Sequence, residues 1–131
     1  MKSRRERRAL ARTLVSVVDD DESVRESLPD LLKEFGFEAR AFSSAQEFLA
    51  SDCVSRTGCL ILDIAMPGMS GLDLQRELKL RGHGIPIVFI TAQVDGSLRA
   101  RALEEGAASF LLKPFSDTAL LASVKSALQA T

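Results

Sequence analysis

The chain has 131 residues and a formal net charge of −1 at pH 7, and 46% of its residues are hydrophobic and 27% charged. This length fits one domain with one core, and these proportions argue against a disordered chain. No apolar run approaches the roughly 20 residues that a membrane-spanning helix needs. We therefore expect a cytoplasmic protein with no membrane partner.

The first twelve residues are strongly basic. They contain six lysine and arginine side chains against the single acid Glu6. Such a segment can contact nucleic acid or an acidic partner, but it has no interleaved aromatic residues and no recognised motif. We interpret residues 1–12 as a flexible extension and residues 13–131 as the folded domain.

The first predicted strand and helix occupy residues 14–18 and 24–35. The strand is rich in β-branched residues. In the helix, apolar residues recur with helical spacing up to Gly36, which we expect at its C-terminal end. They are Val24, Leu28, Leu31, Leu32 and Phe35. Pro29 lies inside this pattern and predicts a kink rather than a break, because the apolar stripe continues beyond it.

Residues 37–42 alternate apolar and charged side chains, which is typical of an edge or half-exposed strand. Ser44 and Glu47 then have the spacing of a capping box and predict a short helix. Ser70 and Asp73 have the same spacing before a later helix. We expect the Ser44 pair to be the better box, because Asp is a shorter arm than Glu.

The central predicted strand is the continuously apolar run of residues 59–62, a pattern typical of a strand covered on both faces of a parallel sheet. Asp63 ends this run and is followed by a turn rich in glycine and proline. Pro67 removes a backbone donor, and Gly68 and Gly71 permit positive φ. The chain can therefore turn sharply over the carboxylate.

Two further strand–helix pairs complete the pattern. Residues 85–91 and 109–113 are predicted strands, and residues 97–105 form a helix between them. The last helix begins at a cap supplied by Ser116 or Asp117. Its apolar face consists of Leu120, Leu121, Val124 and Leu128.

Five strand–helix pairs in strict alternation predict an α/β fold with a parallel sheet covered by helices on both faces. The carboxyl ends of parallel strands meet at one edge, where such sheets bind their ligands. The polar residues at these ends are Asp19, Asp20, Asp63, Thr91 and Lys113. Close carboxylates repel one another unless a cation neutralises them, and oxygen ligands suit Mg²⁺. Lys113 and Thr91 could hold the oxygens of a phosphoryl group carried by Asp63.

Other candidate chemistry has less support. Cys53 and Cys59 are expected to be reduced, and together with His83 they have no recognised zinc spacing. His83 lies between two glycines, and we interpret it as a turn residue.

Taken in order, these residues resemble the response-regulator receiver domains of two-component signalling, which have a CheY-like fold. The resemblance covers about residues 14–128. It is carried by Asp19-Asp20, the turn from Asp63 to Gly71, Thr91-Ala92, Phe110 and Lys113-Pro114. It implies a (βα)5 doubly wound, five-stranded parallel sheet with the flavodoxin-like strand order 2-1-3-4-5.

The resemblance also implies the chemistry. Asp63 would accept a phosphoryl group from a sensor histidine kinase, and Asp20 and Asp63 would bind Mg²⁺ directly, with Mn²⁺ as an alternative. The backbone carbonyl of Ala65 would be a third protein ligand, and Asp19 would act through water. Such a domain is not an enzyme with a separate substrate, but it catalyses its own phosphotransfer and a slow self-dephosphorylation.

A switch belongs to the same resemblance. Thr91 would move toward the new phosphoryl oxygens and Phe110 would rotate inward behind it, which would bias the surface of helix four, strand five and helix five between two states. Ordinary core packing remains an alternative role for Phe110. The peptide bond before Pro114 is expected to be cis.

Residues 17–25 and 45–49 are most similar to the FixJ/NarL-type subfamily, whose receivers usually precede a helix-turn-helix DNA-binding domain. This implies either part of a longer transcription regulator or a single-domain regulator, with DNA contacted only through an output domain. Leu98, Arg99 and Arg101 could form a phosphorylation-dependent homodimer interface. A solvated surface is at least as good an interpretation of them.

Two residues depart from the family pattern. Pro29 lies inside helix one, and Ala65 is small where many receivers carry a larger polar or basic side chain. Ala65 and Gln93 flank the expected path of a hydrolytic water. We therefore expect them to set the lifetime of the acyl phosphate.

Two other classes of protein compete with this interpretation. A haloacid-dehalogenase-like phosphatase would need a second acid two residues after Asp63, where the chain has Ala65, and a cap domain that this length does not supply. A receiver-shaped interaction module without phosphorylation would be expected to have lost a site residue. The chain retains Asp20, Asp63, Thr91 and Lys113.

Overall fold

The computed structural model describes residues 13–93 and 95–129. The predicted flexible extension, residues 1–12, lies outside this part of the chain. Strands and helices alternate through the described residues in the predicted order. They are β1 (Leu14–Val18), α1 (Glu22–Glu34), β2 (Glu38–Phe42), α2 (Ala45–Ala50), β3 (Thr57–Asp63), α3 (Gly71–Leu80), β4 (Ile87–Thr91), α4 (Gly96–Glu104), β5 (Ser109–Leu112) and α5 (Asp117–Gln129), with a short 3-10 turn at Val54–Arg56.

The strands form one parallel sheet in the order β2-β1-β3-β4-β5. This confirms the predicted fold class and strand order. β2 is an edge strand, and its Glu38 and Arg40 side chains are exposed as the alternating pattern predicts. β3 lies in the centre, where Leu62 pairs with Val18 of β1 and with Phe89 of β4.

Both faces of the sheet are covered, which explains the continuous apolar runs at residues 59–62 of β3 and 87–90 of β4. Leu60 and Leu62 of β3 pack in a core with residues of α2, α3 and α4. Cys59 and Ile61 point to the opposite face and pack with residues of α1 and α5. None of the described helices is both long and apolar enough to cross a membrane.

Helix α1 runs without interruption through Pro29, which is buried. The prediction that Pro29 does not break the helix is thus confirmed. Leu28 and Leu32 on either side of the proline are buried against the sheet, and this packing stabilises the helix. Phe35 does not belong to this buried stripe. It caps the end of α1 with 51% of its surface exposed, and the Lys125 ammonium lies 5.8 Å from the centre of its ring.

The two capping boxes differ from the prediction. Ser70 accepts from the Asp73 N–H while the Asp73 carboxylate accepts from the Ser70 N–H, so this box is complete. Ser44 accepts from the Glu47 N–H, but the Glu47 carboxylate accepts from the hydroxyl of Ser43 instead of closing the box. The shorter Asp therefore makes the better box, because a neighbouring serine competes for the Glu.

The glycines of the turn after β3 have different reasons to be glycine. Gly68 has φ 77°, which is the left-handed backbone that the sequence predicts. Gly71 does not use the positive φ that glycine permits, and another constraint requires glycine there. A Cβ on Gly71 would strike the carbonyl oxygen of Asp63 and lie 2.9 Å from Cα of Ile64, and its N–H donates to the Ile64 carbonyl at 2.9 Å. Gly71 thus permits α3 to begin directly against the end of β3.

Candidate functional site

The ends of β1 and β3 bring three carboxylates together. Asp19 and Asp20 follow β1, and Asp63 is the last residue of β3. One carboxylate oxygen from each residue lies within 4.8 Å of the other two. Asp19 and Asp63 are buried and Asp20 is exposed, so the cluster faces solvent on the Asp20 side. Such an all-oxygen cluster has the donor chemistry that a hard divalent cation prefers.

Lys113, directly after β5, reaches into the same pocket. Its Nζ lies 2.8 Å from Oδ2 of Asp19 and 3.9 Å from Oδ2 of Asp63. Burial by itself would lower the pKa of Lys113. The hydrogen bond and charge of Asp19 outweigh that effect, together with the charges of Asp63 and Asp21, and raise the pKa. The ammonium therefore remains charged at the position where it faces both buried acids.

Burial has the opposite consequence for Asp63, since it disfavours the ionised carboxylate. Burial and, next, the charge of Asp19 raise the pKa of Asp63 to about 7, and Asp20 adds to this. The charge of Lys113 and the Ala65 N–H, which donates to Oδ1 at 3.3 Å, act in the opposite direction. A further cation in the cluster would lower the pKa of Asp63 and favour the ionised carboxylate.

Asp19 is held from four sides. Its Oδ2 accepts from Lys113, and its Oδ1 accepts from the Asp21 N–H at 2.9 Å. Its own N–H donates to the Phe42 carbonyl at 3.1 Å, and its carbonyl accepts from Nη1 of Arg25 at 3.0 Å. Sequence reasoning missed this contact of Arg25. No sequence motif marks a hydrogen bond from an arginine side chain to the backbone carbonyl of a residue six positions earlier.

Thr91 ends β4 one residue after Ile90, the partner of Asp63 in the sheet register. It is fully buried. Its hydroxyl oxygen accepts from the Gln93 N–H at 3.1 Å, and its carbonyl accepts from the Lys113 N–H at 2.8 Å. The register thus places Thr91 at the same sheet edge as Asp63 and Lys113, and the hydroxyl keeps a proton of its own to donate.

Phe110 lies farther from the carboxylates, in β5. It packs against the core on the α4 side of the sheet and is only half-buried. It also lines a cavity of about 300 Å³ together with Gln93, Arg99 and Leu112. The core-packing and switch interpretations therefore both fit its position, since it touches the core and an open space.

Three other residues singled out in the sequence, Ala65, Pro114 and His83, lie within the described part of the chain. Ala65 is exposed at the rim next to Asp63, and the Lys113–Pro114 peptide bond is cis, as the resemblance implies. His83 borders a different cavity, of about 450 Å³, which is also lined by Pro86 and Ile87 at the start of β4. It does not join the acidic cluster.

The cysteines take no part in a metal site among the described residues. Cys53 and Cys59 are free and buried. Burial raises the pKa of the Cys59 thiol to about 12, so it is not ionised at neutral pH. The prediction of reduced cysteines agrees with this arrangement, and the described metal-ligand cluster consists of carboxylates alone.

Comparison with known proteins identifies the family. Residues 15–125 match the family model of the response regulator receiver domain. The chain belongs to this family. Receiver domains are regulatory modules, in agreement with the expectation that this chain is not an enzyme with a separate substrate.

Two curated relatives of this receiver domain are response regulators. The response regulator protein TodT of Pseudomonas putida is 43% identical over 117 residues, which are 89% of this chain and 52% of TodT. The transcriptional regulatory protein FixJ of Azorhizobium caulinodans is 42% identical over 114 residues, which are 87% of this chain and 54% of FixJ. The receiver domain therefore spans about half the length of these relatives.

Solved structures show the same fold. The response regulator StyR has a TM-score of 0.83 at 50% identity, over 89% of this chain and 59% of the StyR chain. The structure of FixJ-N has a TM-score of 0.82 at 37% identity, over 90% of this chain and 94% of that chain. The predicted similarity to FixJ-type receivers is thus confirmed in sequence and in fold.

Proposed function

We propose that this receiver domain accepts a phosphoryl group on Asp63 from the phosphohistidine of a sensor histidine kinase. The observation that carries the proposal is the pocket at the carboxyl edge of the sheet. There, a buried carboxylate lies 3.9 Å from the ammonium of Lys113 and close to the carboxylates of Asp19 and Asp20. A pocket that is open on one side and contains both acids and a charged amine suits phosphoryl transfer, which depends on positioning and charge neutralisation.

The donor set fits Mg²⁺, with Mn²⁺ as an alternative, because three carboxylates converge and one of them faces solvent. In this proposal Asp20 and Asp63 are direct ligands, the backbone carbonyl of Ala65 is a third, and Asp19 acts through water. When bound, the cation neutralises the carboxylates and the phosphoryl oxygens. The raised pKa of Asp63 supports the fit, since it reflects a cluster that lacks positive charge.

The transfer uses residues that already face one another. A carboxylate oxygen of Asp63 attacks phosphorus, the bond from phosphorus to the kinase imidazole breaks, and its electron pair remains on the imidazole nitrogen, which then takes a proton from solvent. Lys113 and the Thr91 hydroxyl donate to the phosphoryl oxygens. Water later hydrolyses the acyl phosphate slowly, and Ala65 and Gln93 at the rim set the rate of that step.

The phosphoryl group in turn changes the surface. Thr91 moves toward the new oxygens, Phe110 rotates toward the space behind it, and the surface formed by α4, β5 and α5 changes state. A phosphorylation-dependent homodimer on this surface, in the cytoplasm, would pass the signal on. Since FixJ carries the name of a transcriptional regulatory protein, we propose transcription as the output, with DNA bound by a helix-turn-helix domain outside this chain.

Phosphorylation by acetyl phosphate tests the proposal. With Mg²⁺, the wild-type protein should gain one hydroxylamine-labile phosphate by intact mass spectrometry, and Asp63→Asn should gain none. Asp30→Asn, an exposed acid on α1, is the matched control and should behave like the wild type. Steady turnover of a small phosphoester would instead indicate a phosphatase. The absence of any phosphate on the wild type would leave only an interaction module.

A further inference from the structure

We propose that Arg25 is a positioning residue for the Mg²⁺ ligand Asp20. The inference rests on the proposed function, because it concerns the cation site of that reaction. Arg25 lies in α1 and its guanidinium donates from Nη1 to the backbone carbonyl of Asp19 at 3.0 Å. It therefore holds the peptide unit between Asp19 and Asp20.

This bond closes a small ring at the start of α1. The Asp21 N–H donates to Oδ1 of Asp19 at 2.9 Å, and the Arg25 N–H donates to the Asp21 carbonyl at 3.2 Å. The guanidinium then returns to the Asp19 carbonyl. Three hydrogen bonds thus fix the backbone that carries Asp20, and the guanidinium is the only side-chain donor among them.

Asp20 depends on this backbone more than its neighbours do. Asp19 is anchored by Lys113, and Asp63 receives the Ala65 N–H. Within the described ranges, by contrast, the carboxylate of Asp20 accepts no hydrogen bond and forms no ion pair. The position of the Asp20 carboxylate relative to those of Asp19 and Asp63 therefore depends on the conformation of the backbone at Asp20.

Arg25 holds this backbone without occupying a carboxylate oxygen of the cluster. Among residues 13–93 and 95–129 no ion pair joins its guanidinium to a carboxylate, and its bond goes to a backbone carbonyl. The oxygens of Asp20 and Asp63 therefore remain available to a cation. Groups that orient metal ligands in this way typically change metal affinity 10- to 100-fold when removed.

Mg²⁺ binding to the unphosphorylated protein tests the inference by calorimetry, independently of phosphoryl transfer. Arg25→Met keeps the aliphatic stem and removes the donors. It should weaken Mg²⁺ affinity about tenfold, whereas Arg25→Lys, which keeps a charged donor at the end of an aliphatic stem, should recover part of the loss. Arg40→Met, at an exposed arginine on the edge strand β2, should bind Mg²⁺ like the wild type.

Two readouts separate positioning from general effects of charge and folding. The affinity difference between Arg25→Met and the wild type should persist in about 0.5 M NaCl, where long-range charge effects are screened. The amide ¹⁵N signal of Asp20 should shift in Arg25→Met before any Mg²⁺ is added. Equal affinities for the two proteins, or a difference that disappears in salt, would overturn the inference and leave the proposed function standing. A wild-type protein that binds no Mg²⁺ would overturn both.

Discussion

At the scale of single residues, the ionisation of Asp63 follows from where β3 ends. The carboxyl group of Asp63, at the end of the strand, is buried beside Asp19. Burial is the main reason that the pKa of Asp63 rises to about 7. In an unfolded chain the same group has its ordinary pKa of 3.8. The folded protein therefore holds a proton there between about pH 4 and 7 that the unfolded chain has lost.

This difference makes a prediction about stability and pH. Because the folded state binds more protons in that range, the free energy of unfolding contributed by Asp63 falls as pH rises from 4 to 7 and stays low above it. Asp63→Asn removes the penalty. In the presence of a chelator, we expect it to leave stability nearly unchanged at pH 4 and to raise it by about 2 kcal/mol at pH 8, measured by urea unfolding. This is about half of what the full pKa difference would give, because solvent on the open side of the pocket screens the charge.

The Mg²⁺ dependence of the same two proteins serves as the control. Added Mg²⁺ should stabilise the wild type at pH 8 more than Asp63→Asn, because the cation binds the folded carboxylate. Parallel stability curves for the two proteins between pH 4 and 8 would contradict the raised pKa of Asp63.

Lys113 gives a second prediction at this scale. Its partner Asp19 is fully buried, so Lys113→Met leaves a buried carboxylate without its ion-pair partner. Breaking a buried pair on one side is costly, and we expect a loss of about 3 kcal/mol in the free energy of unfolding. Lys79→Met, which removes an exposed lysine 4.0 Å from Glu105, should cost less than about 0.5 kcal/mol. Equal losses in the two variants would show that the pair with Asp19 is not buried in solution.

At the scale of elements, the junction between β3 and α3 positions Asp63. The helix begins at Gly71 directly over the backbone of Asp63 and Ile64, and the Gly71 N–H is bonded to the Ile64 carbonyl. The complete capping box of Ser70 and Asp73 then fixes the first turn. The direction of the strand end is therefore coupled to the start of the helix.

Gly71→Ala tests this close approach. The new methyl group would meet backbone atoms, which cannot rotate away, so we expect a loss of about 2 kcal/mol in stability and a displaced Asp63. Gly96→Ala is the matched control at the first residue of α4. A Cβ there meets no atom within 4 Å, and the substitution should be neutral or slightly stabilising. The two variants can be compared by thermal unfolding. A neutral Gly71→Ala would show that α3 can move away from β3 without cost.

At the scale of the whole molecule, the proposed switch links the acidic pocket to the outer face of α4 and β5. Thr91 lies at the pocket edge, and Phe110 lines the cavity that borders Arg99 and the 46% exposed Leu112. A change at the phosphoryl group can reach this face through the neighbouring strands β4 and β5, which are paired along their length.

Beryllofluoride with Mg²⁺ should reproduce this change without a kinase. We expect NMR signals of Thr91, Phe110 and Leu112 to shift and the protein to elute earlier in size-exclusion chromatography as a dimer. Phe110→Leu should reduce the shift toward the dimer. Phe35→Leu, at the exposed aromatic residue that caps the end of α1, should not. Spectral changes that stop at the acidic pocket would contradict the proposed switch.

Much of this architecture could be predicted from the order of residues. Continuous apolar runs indicate strands covered on both faces, and parallel strands necessarily bring their carboxyl ends to one edge. The convergence of Asp19, Asp20, Asp63 and Lys113 follows from these two facts, so the sequence predicts the composition of the site before any coordinates exist.

The pairing of individual atoms was decided only by the tertiary structure. Lys113 forms a hydrogen bond with Asp19, 94 residues away in the chain. Arg25 donates to the backbone carbonyl of Asp19. Residue 71 must be glycine because the end of β3 lies against it. Phe35 fits the apolar period of α1 yet is exposed, because the helix ends there. Periodicity reports which side of an element faces the core. Distances between elements, which set partners, pKa values and close contacts, exist only once the sheet and its two helix layers have packed.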